Sequence, residues 1–198
     1  MKIKFIIRVI IALLAAGGLS AVMPYPSQRG QVPAVSRIKL PNSELLNQNG
    51  IPVRFNSDIA GDMIIAINFI YTDCSTACPV ASAIFSKLQS RLGDKLGQAV
   101  RMVSLTINPA TDTPERLKAY AERFHAKPEW IWLTGEKPQV VALLKGLGVY
   151  NADIANHASI ILVGDPNRGE WTRFNGFSSP DAIAARINEL LLARDEKS

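Results

Sequence analysis

The chain has 198 residues, 47% of them hydrophobic and 20% charged, with 22 basic against 17 acidic side chains and a formal charge of +5. Three of the basic residues, Lys2, Lys4 and Arg8, fall in the first 21 positions, which hold no acidic residue; without them the balance is 19 to 17, a net +2. So modest a charge, with no Lys/Arg cluster interleaved with aromatics, gives no reason to invoke nucleic acid. The lack of any internal repeat or low-complexity tract leaves a single domain of about 160 residues, enough to bury a substantial core.

In residues 1–23, Lys2, Lys4 and Arg8 lead into an apolar stretch from Val9 to Leu19, followed by small residues and Pro24-Tyr25-Pro26. This is the pattern of an export signal. The stretch is shorter than the roughly 20 residues of a bilayer span, which favours a signal peptide, but no clean A-x-A cleavage site follows, so an N-terminal membrane anchor is the alternative. Either way the protein is expected outside the cytoplasm, periplasmic and tethered to the inner membrane if the segment is kept. In such a compartment two cysteines pair unless a reductant or a metal holds them apart. Residues 24–37, polar with Pro and Gly, read as a linker, and 38–195 as the folded domain.

Asn49-Gly50 between apolar flanks predicts a β-hairpin over residues 45–53. Residues 63–70 are apolar and β-branched without alternation, as in a strand buried on both faces. A helix follows over 80–92, with Val80, Ile84, Leu88 and Leu92 on one face. Residues 100–107 alternate as a second core strand, ended by Asn108-Pro109. Thr113 caps the next helix, with Pro114 in its first position, and that helix runs to about His125. Then come a short strand at 130–133, a helix at 138–146, a strand at 159–163 with a hairpin partner at 171–174, and a terminal helix at 180–193. Trp130, Trp132 and Trp171 fall on these strands and are assigned no role. The order β-α-β-α then β-β-α predicts an α/β, thioredoxin-like fold: a central mixed β-sheet flanked by helices, with an N-terminal β-hairpin extension and an inserted strand and helix.

The two cysteines, Cys74 and Cys78, stand at the turn between the first core strand and its helix, in a C-x-x-x-C-Pro79 pattern. Residues four apart on a helical turn have Cβ atoms about 5–6 Å apart, so the sulfurs can converge on one metal ion or oxidise to a disulfide. The helix N-terminus favours a thiolate at one of them, which both chemistries need. The spacing is one residue wider than a thioredoxin-type C-x-x-C, and metal binding, redox exchange and a structural disulfide all stay open. Of the two histidines, His125 sits near a helix C-terminus, an ordinary place for it. His157 lies in a polar loop, 151–159, that leads into a core strand at the end of the sheet where the cysteine turn is expected, so it is a candidate ligand or base. Two thiolates and a neutral imidazole suit Cu(I) better than Mg or Ca, and zinc would usually want a fourth ligand.

Several motifs in register resemble the Sco/SenC family of thioredoxin-fold, copper-handling proteins that serve cytochrome c oxidase assembly. They are Gly61-Asp62-Met63, then Phe69-Ile70-Tyr71-Thr72-Asp73-Cys74 through Cys78-Pro79, then Asn108-Pro109-Ala110-Thr111-Asp112-Thr113-Pro114-Glu115, then Leu133-Thr134-Gly135 and His157-Ala158-Ser159. The resemblance runs from about Leu45 to Leu191. It implies that Cys74 and Cys78 bind a copper ion, Cu(I) or Cu(II), as thiolates with His157 as third ligand. It implies as partners a thiol reductant and a copper-receiving apoprotein, a subunit of cytochrome c oxidase. Three departures stand out: Ile70 replaces the family's Gly, Ser75-Thr76-Ala77 replaces its Pro-Asp-Val, and Asn108 replaces an acidic residue. None removes a ligand. The rival reading is a thiol-disulfide oxidoreductase in which Cys74 and Cys78 are catalytic, reducing cysteines of an exported metalloprotein, and His157 is a neighbouring base or a spectator. A peroxidase on the same fold would need Thr-x-x-Cys, whereas Thr72 is two before Cys74.

Overall fold

The computed structural model describes residues 34–38, 40–154 and 157–196. The expected signal peptide or anchor at 1–23, and the linker up to residue 33, lie outside the described residues. In chain order the strands and helices are β1 (Ala34–Arg37), β2 (Glu44–Asn47), β3 (Pro52–Arg54), β4 (Ile64–Ile70), α1 (Ala77–Leu92), β5 (Val100–Thr106), α2 (Pro114–Arg123), β6 (Trp130–Thr134), α3 (Lys137–Gly146), β7 (Ile160–Asp165), β8 (Glu170–Asn175) and α4 (Pro180–Asp195). They build one eight-stranded sheet in the order β1-β8-β7-β4-β5-β6-β2-β3. Strand β4 is parallel to β5 and antiparallel to β7, so the sheet is mixed, as expected.

Every residue of β4 is buried, which explains why its sequence shows no alternation: both faces are covered. Its even-numbered residues Ile64, Ala66 and Ile70 enter a core with α1, α2 and α4. Its odd-numbered residues Ile65, Ile67 and Phe69 enter a second core with α3 and with Phe55 and Ile59. The molecule is therefore two helical layers around one sheet. The inserted β6–α3 unit extends the sheet beyond β5, and the β2–β3 hairpin pairs with β6. Asn47 builds the hairpin turn, its side-chain Oδ1 accepting from the N–H groups of Asn49 (2.9 Å) and Ile51 (3.1 Å).

The structure corrects four expectations. Residues 34–37, read as the end of a linker, form strand β1 against β8; the partner lies more than a hundred residues away, so no local pattern announces the pairing. A π-helical turn, Phe55–Ala60, follows the hairpin unannounced. Helix α2 stops at Arg123, and His125 takes a positive φ of 52° just beyond it. Helix α1 begins three residues earlier than expected, and its buried stripe is Cys78, Ala81, Phe85, Leu88 and Leu92, with Val80 44% exposed. That rotation places Cys78 on the core-facing side of the first turn.

Candidate metal centre

The strand directions decide what meets at the site. Because β7 runs opposite to β4, the segment that enters β7 lies at the same sheet end as the turn that leaves β4. Cys74, Cys78 and His157 accordingly line one cavity of about 40 Å³, walled by Phe69, Tyr71 and Ile154. That volume is on the scale of a water or a single ion.

The chain leaves β4 in a tight turn, the Cys74 N–H donating to the Tyr71 carbonyl (3.2 Å). Thr76, at the N-cap of α1, makes no side-chain capping bond. Instead the Cys78 N–H in the first helical turn donates to Cys74 Sγ (3.3 Å), a sulfur filling the place that a capping oxygen usually takes. Both cysteines are free thiols and both are buried. For Cys74, burial alone would raise the thiol, but hydrogen bonds from the Cys78 thiol and N–H and from Thr76 outweigh it and bring the pKa down to about 7. Cys78 is pushed up to about 12, chiefly by burial and by giving its own proton to Cys74. The pair therefore ionises first at Cys74, which carries a thiolate near neutral pH. Tyr71, half-buried beside this sulfur, is hydrogen-bonded to Cys74, and desolvation and that bond raise its phenol above the ordinary range.

His157 is held from behind. Its ring packs 6.1 Å from the ring of Phe69, and its N–H donates to the Val149 carbonyl. Nε2 is buried with no partner, so the donating nitrogen is Nδ1 and the Nε2 lone pair is free, the tautomer that a metal ligand needs. Burial first, and the Arg173 charge second, hold the imidazole below its usual pKa. Arg173 in turn donates to the Gly148 carbonyl (3.1 Å), steadying the segment that carries Val149.

A soft, half-ionised dithiol and a neutral imidazole with an unpaired nitrogen fit a soft monovalent cation. In this conformation, however, no three His, Cys, Asp or Glu side chains among the described residues stand close enough together to hold a metal ion. The three donors share a cavity without converging on one point. The other histidine, His125, is exposed beyond α2 and does not line the cavity. Asn108 works through its backbone, its N–H donating to Thr106 Oγ1 (2.9 Å) and its carbonyl accepting from the Asp112 N–H (3.0 Å).

The family model described as SCO1/SenC matches residues 38–192. The chain belongs to the SCO1/SenC family. This SCO1/SenC chain is 30% identical over 150 residues to an SCO2-like protein of Rickettsia felis, covering 71% of each chain. It is 31% identical over 110 residues to a putative copper-binding protein of Stutzerimonas stutzeri, covering 56% of this chain and 52% of that one. Its fold is that of a SCO1/SenC family lipoprotein from Bacillus anthracis, with a TM-score of 0.68 at 24% identity over 79% of this chain and 97% of that one. It also superposes on BsSco, described as a member of the Sco family of cytochrome c oxidase assembly proteins, with a TM-score of 0.66 at 24% identity over 81% and 97%. Copper-bound ScoI from Bradyrhizobium japonicum gives 0.62 at 24% identity over 74% and 96%. These likenesses establish the SCO1/SenC chain as thioredoxin-like in fold.

The sequence names Cys74, Cys78 and His157 as candidates, and the fold gathers them at one cavity, but the sequence does not name the groups that hold them. Tyr71, Thr72 and Asp112 stood inside the quoted motifs, so their presence was visible and their contacts were not. The partner of His157, a backbone carbonyl at Val149, has no sequence signal at all.

Proposed function

We propose that this protein is a copper metallochaperone that holds one copper ion, as cargo, through Cys74, Cys78 and His157 and passes it to an apoprotein. The observation that carries this reading is the cavity itself: a low-pKa thiolate, a second thiol and an unpartnered imidazole nitrogen on one small wall. The copper-bound and copper-binding relatives support the choice of ion, and BsSco supports a subunit of cytochrome c oxidase as recipient. Copper, when held, contributes only its preference for soft, low-coordinate donors. The chain's residues do the rest. Cys74 offers a thiolate at neutral pH, Cys78 gives up its proton as it is engaged, and His157 turns Nε2 inward while Val149 retains its Nδ1 proton. Because the three donors share the cavity without converging on one point, holding the ion takes a small movement among them, which suits transfer by ligand exchange. An exported protein held at the membrane by its N-terminal segment, and kept reduced by an external thiol, completes the proposal.

The test is anaerobic titration of the reduced full-length chain in detergent with Cu(I) against a competing chelator. Tight one-to-one binding, abolished in Cys74→Ser and Cys78→Ser and weakened at least tenfold in His157→Ala, is expected. Binding indifferent to His157 rejects the ligand set.

A second reading has its own observation, the unequal thiols. With Cys74 near pKa 7 and Cys78 near 12, Cys74 would attack a partner's disulfide, forming a mixed disulfide and releasing one partner thiolate. Cys78 would then attack Cys74 Sγ, releasing the second partner thiolate and leaving a Cys74–Cys78 disulfide for an external dithiol to reduce. Reduction of a model disulfide that survives His157→Ala while copper affinity collapses would separate the two activities.

A further inference from the structure

The turn that delivers Cys74 into the cavity consists of Tyr71, Thr72, Asp73 and Cys74, closed by the Cys74 N–H on the Tyr71 carbonyl. Of its two central residues, Thr72 is tied to the junction between β5 and α2 and Asp73 to the first turn of α2. The Thr72 N–H donates to Asp112 Oδ1 at 3.1 Å, and the Thr72 hydroxyl donates to the same oxygen at 2.6 Å. The other oxygen, Oδ2, accepts from the Thr106 hydroxyl at 2.5 Å. Arg116 closes the outside of the arrangement, its Nε donating to Thr72 Oγ1 at 3.1 Å and its guanidinium pairing with Asp73.

Asp112 is fully buried. A carboxylate at that depth persists only where hydrogen bonds compensate its desolvation, and here three donors do so. Its charge does not help the dithiol ionise: after burial and the bond to Cys74, the Asp112 carboxylate is one of the influences that raise Cys78. It lines no part of the cavity and touches neither sulfur. What it does touch is the backbone and hydroxyl of the residue two before Cys74, from an element 40 positions further along the chain.

We propose that Asp112 is a positioning residue for the site: by gripping Thr72 it fixes the turn so that Cys74 Sγ points into the cavity and onto the Cys78 N–H. Copper enters this inference through the reading given above, so the experiment has an arm that uses no copper. In the reduced full-length chain in detergent, alkylation of Cys74 by iodoacetamide is followed at alkaline pH, where the thiol is already ionised and the rate reports access. Thr72→Val removes the hydroxyl and keeps the shape, Thr72→Ser keeps the hydroxyl, and Asp112→Asn keeps the shape and exchanges an acceptor for a donor. Local release of a turn raises its opening, so Thr72→Val and Asp112→Asn should alkylate about five to ten times faster than the native chain, with Thr72→Ser unchanged. Cu(I) affinity by chelator competition should fall about tenfold in the same two variants, the scale of one hydrogen bond to a charged group. Native rates in Thr72→Val overturn the proposal, and so does equal acceleration in Thr72→Ser; should Asp112→Asn fail to fold, the threonine pair still decides. A native chain that binds no copper while the alkylation pattern holds would reject the metal reading and leave the clamp standing.

Discussion

At the scale of single residues the site is a set of unequal protons. On the proposed reading, loading copper would expel the protons that Cys74, Cys78 and His157 carry, and the two thiols carry them differently. Above about pH 7 Cys74 is already ionised and only Cys78 has a proton to lose; below it both do. His157, held below its ordinary pKa by burial and by the Arg173 charge, adds no proton to this count above pH 7. The logarithm of Cu(I) affinity should therefore rise with pH by about two per unit below pH 7 and about one per unit above it. Competition titrations across pH 6 to 9 check this, and a single slope throughout would show that the thiols ionise together. The same scale shows what sequence could and could not supply. Cys74, Cys78 and His157 stood out as candidates because few residue types do this chemistry and the chain holds only two cysteines and two histidines. The tautomer of His157 was not, because a backbone carbonyl, Val149, sets it and every residue has one.

At the scale of elements, two contacts decide how the sheet carries its helices. On β7 and β8, Gly164 and Trp171 face each other across the ladder, and a Cβ on Gly164 would lie 2.2 Å from the buried indole. Gly164→Ala should destabilise the fold by about 1–3 kcal/mol through overpacking, read as a lower midpoint in urea. The end of β7 holds a second device. Asp165, fully buried, accepts from Arg194 Nε (2.6 Å) and Nη2 (2.7 Å) and from the N–H groups of Asn167 and Arg168, pinning the β7–β8 turn to α4. Burial opposes ionisation there, but the Arg194 bonds outweigh it and the carboxyl titrates below its ordinary range. A depressed carboxyl stabilises the fold fully above the unfolded value near pH 4 and loses that contribution as pH falls below it. Asp165→Asn should cost about 2–3 kcal/mol at neutral pH, under the figure for a fully buried pair because Arg194 is 24% exposed. The variant should also lose part of the native chain's sensitivity to acid. Element by element, most of the fold was legible because β4, α2 and α4 carry strong local signals: an apolar run interrupted only by Asn68, Thr113-Pro114 and Ser179-Pro180. Strand β1 was not, since its only reason to be extended is β8. The face of α1 was misread because a spacing of four drifts around a helix of 3.6 residues per turn, carrying Val80 out of the stripe that Cys78 and Leu88 share.

For the whole molecule, the site exists only in the folded chain. The unfolded polypeptide keeps Cys74 and Cys78 close in sequence but has no means of bringing His157, 79 positions further on, to the same point. A ligand that prefers the folded state stabilises it by mass action, by about 2.7 kcal/mol at a hundredfold excess over its dissociation constant. Anaerobic Cu(I) should thus raise the melting temperature of the native chain and raise that of His157→Ala less; equal shifts would mean that the thiols alone carry the affinity. The layer that carries the thiols also contains Trp130 and Trp132, stacked with ring centroids 4.8 Å apart and joined to Phe85 and Tyr120. Two indoles this close share their electronic transitions, so the near-ultraviolet circular dichroism of the protein should show a coupled pair of bands of opposite sign. The protein thereby carries its own optical gauge of the packing beneath the site, readable without a label and independent of whether copper is present.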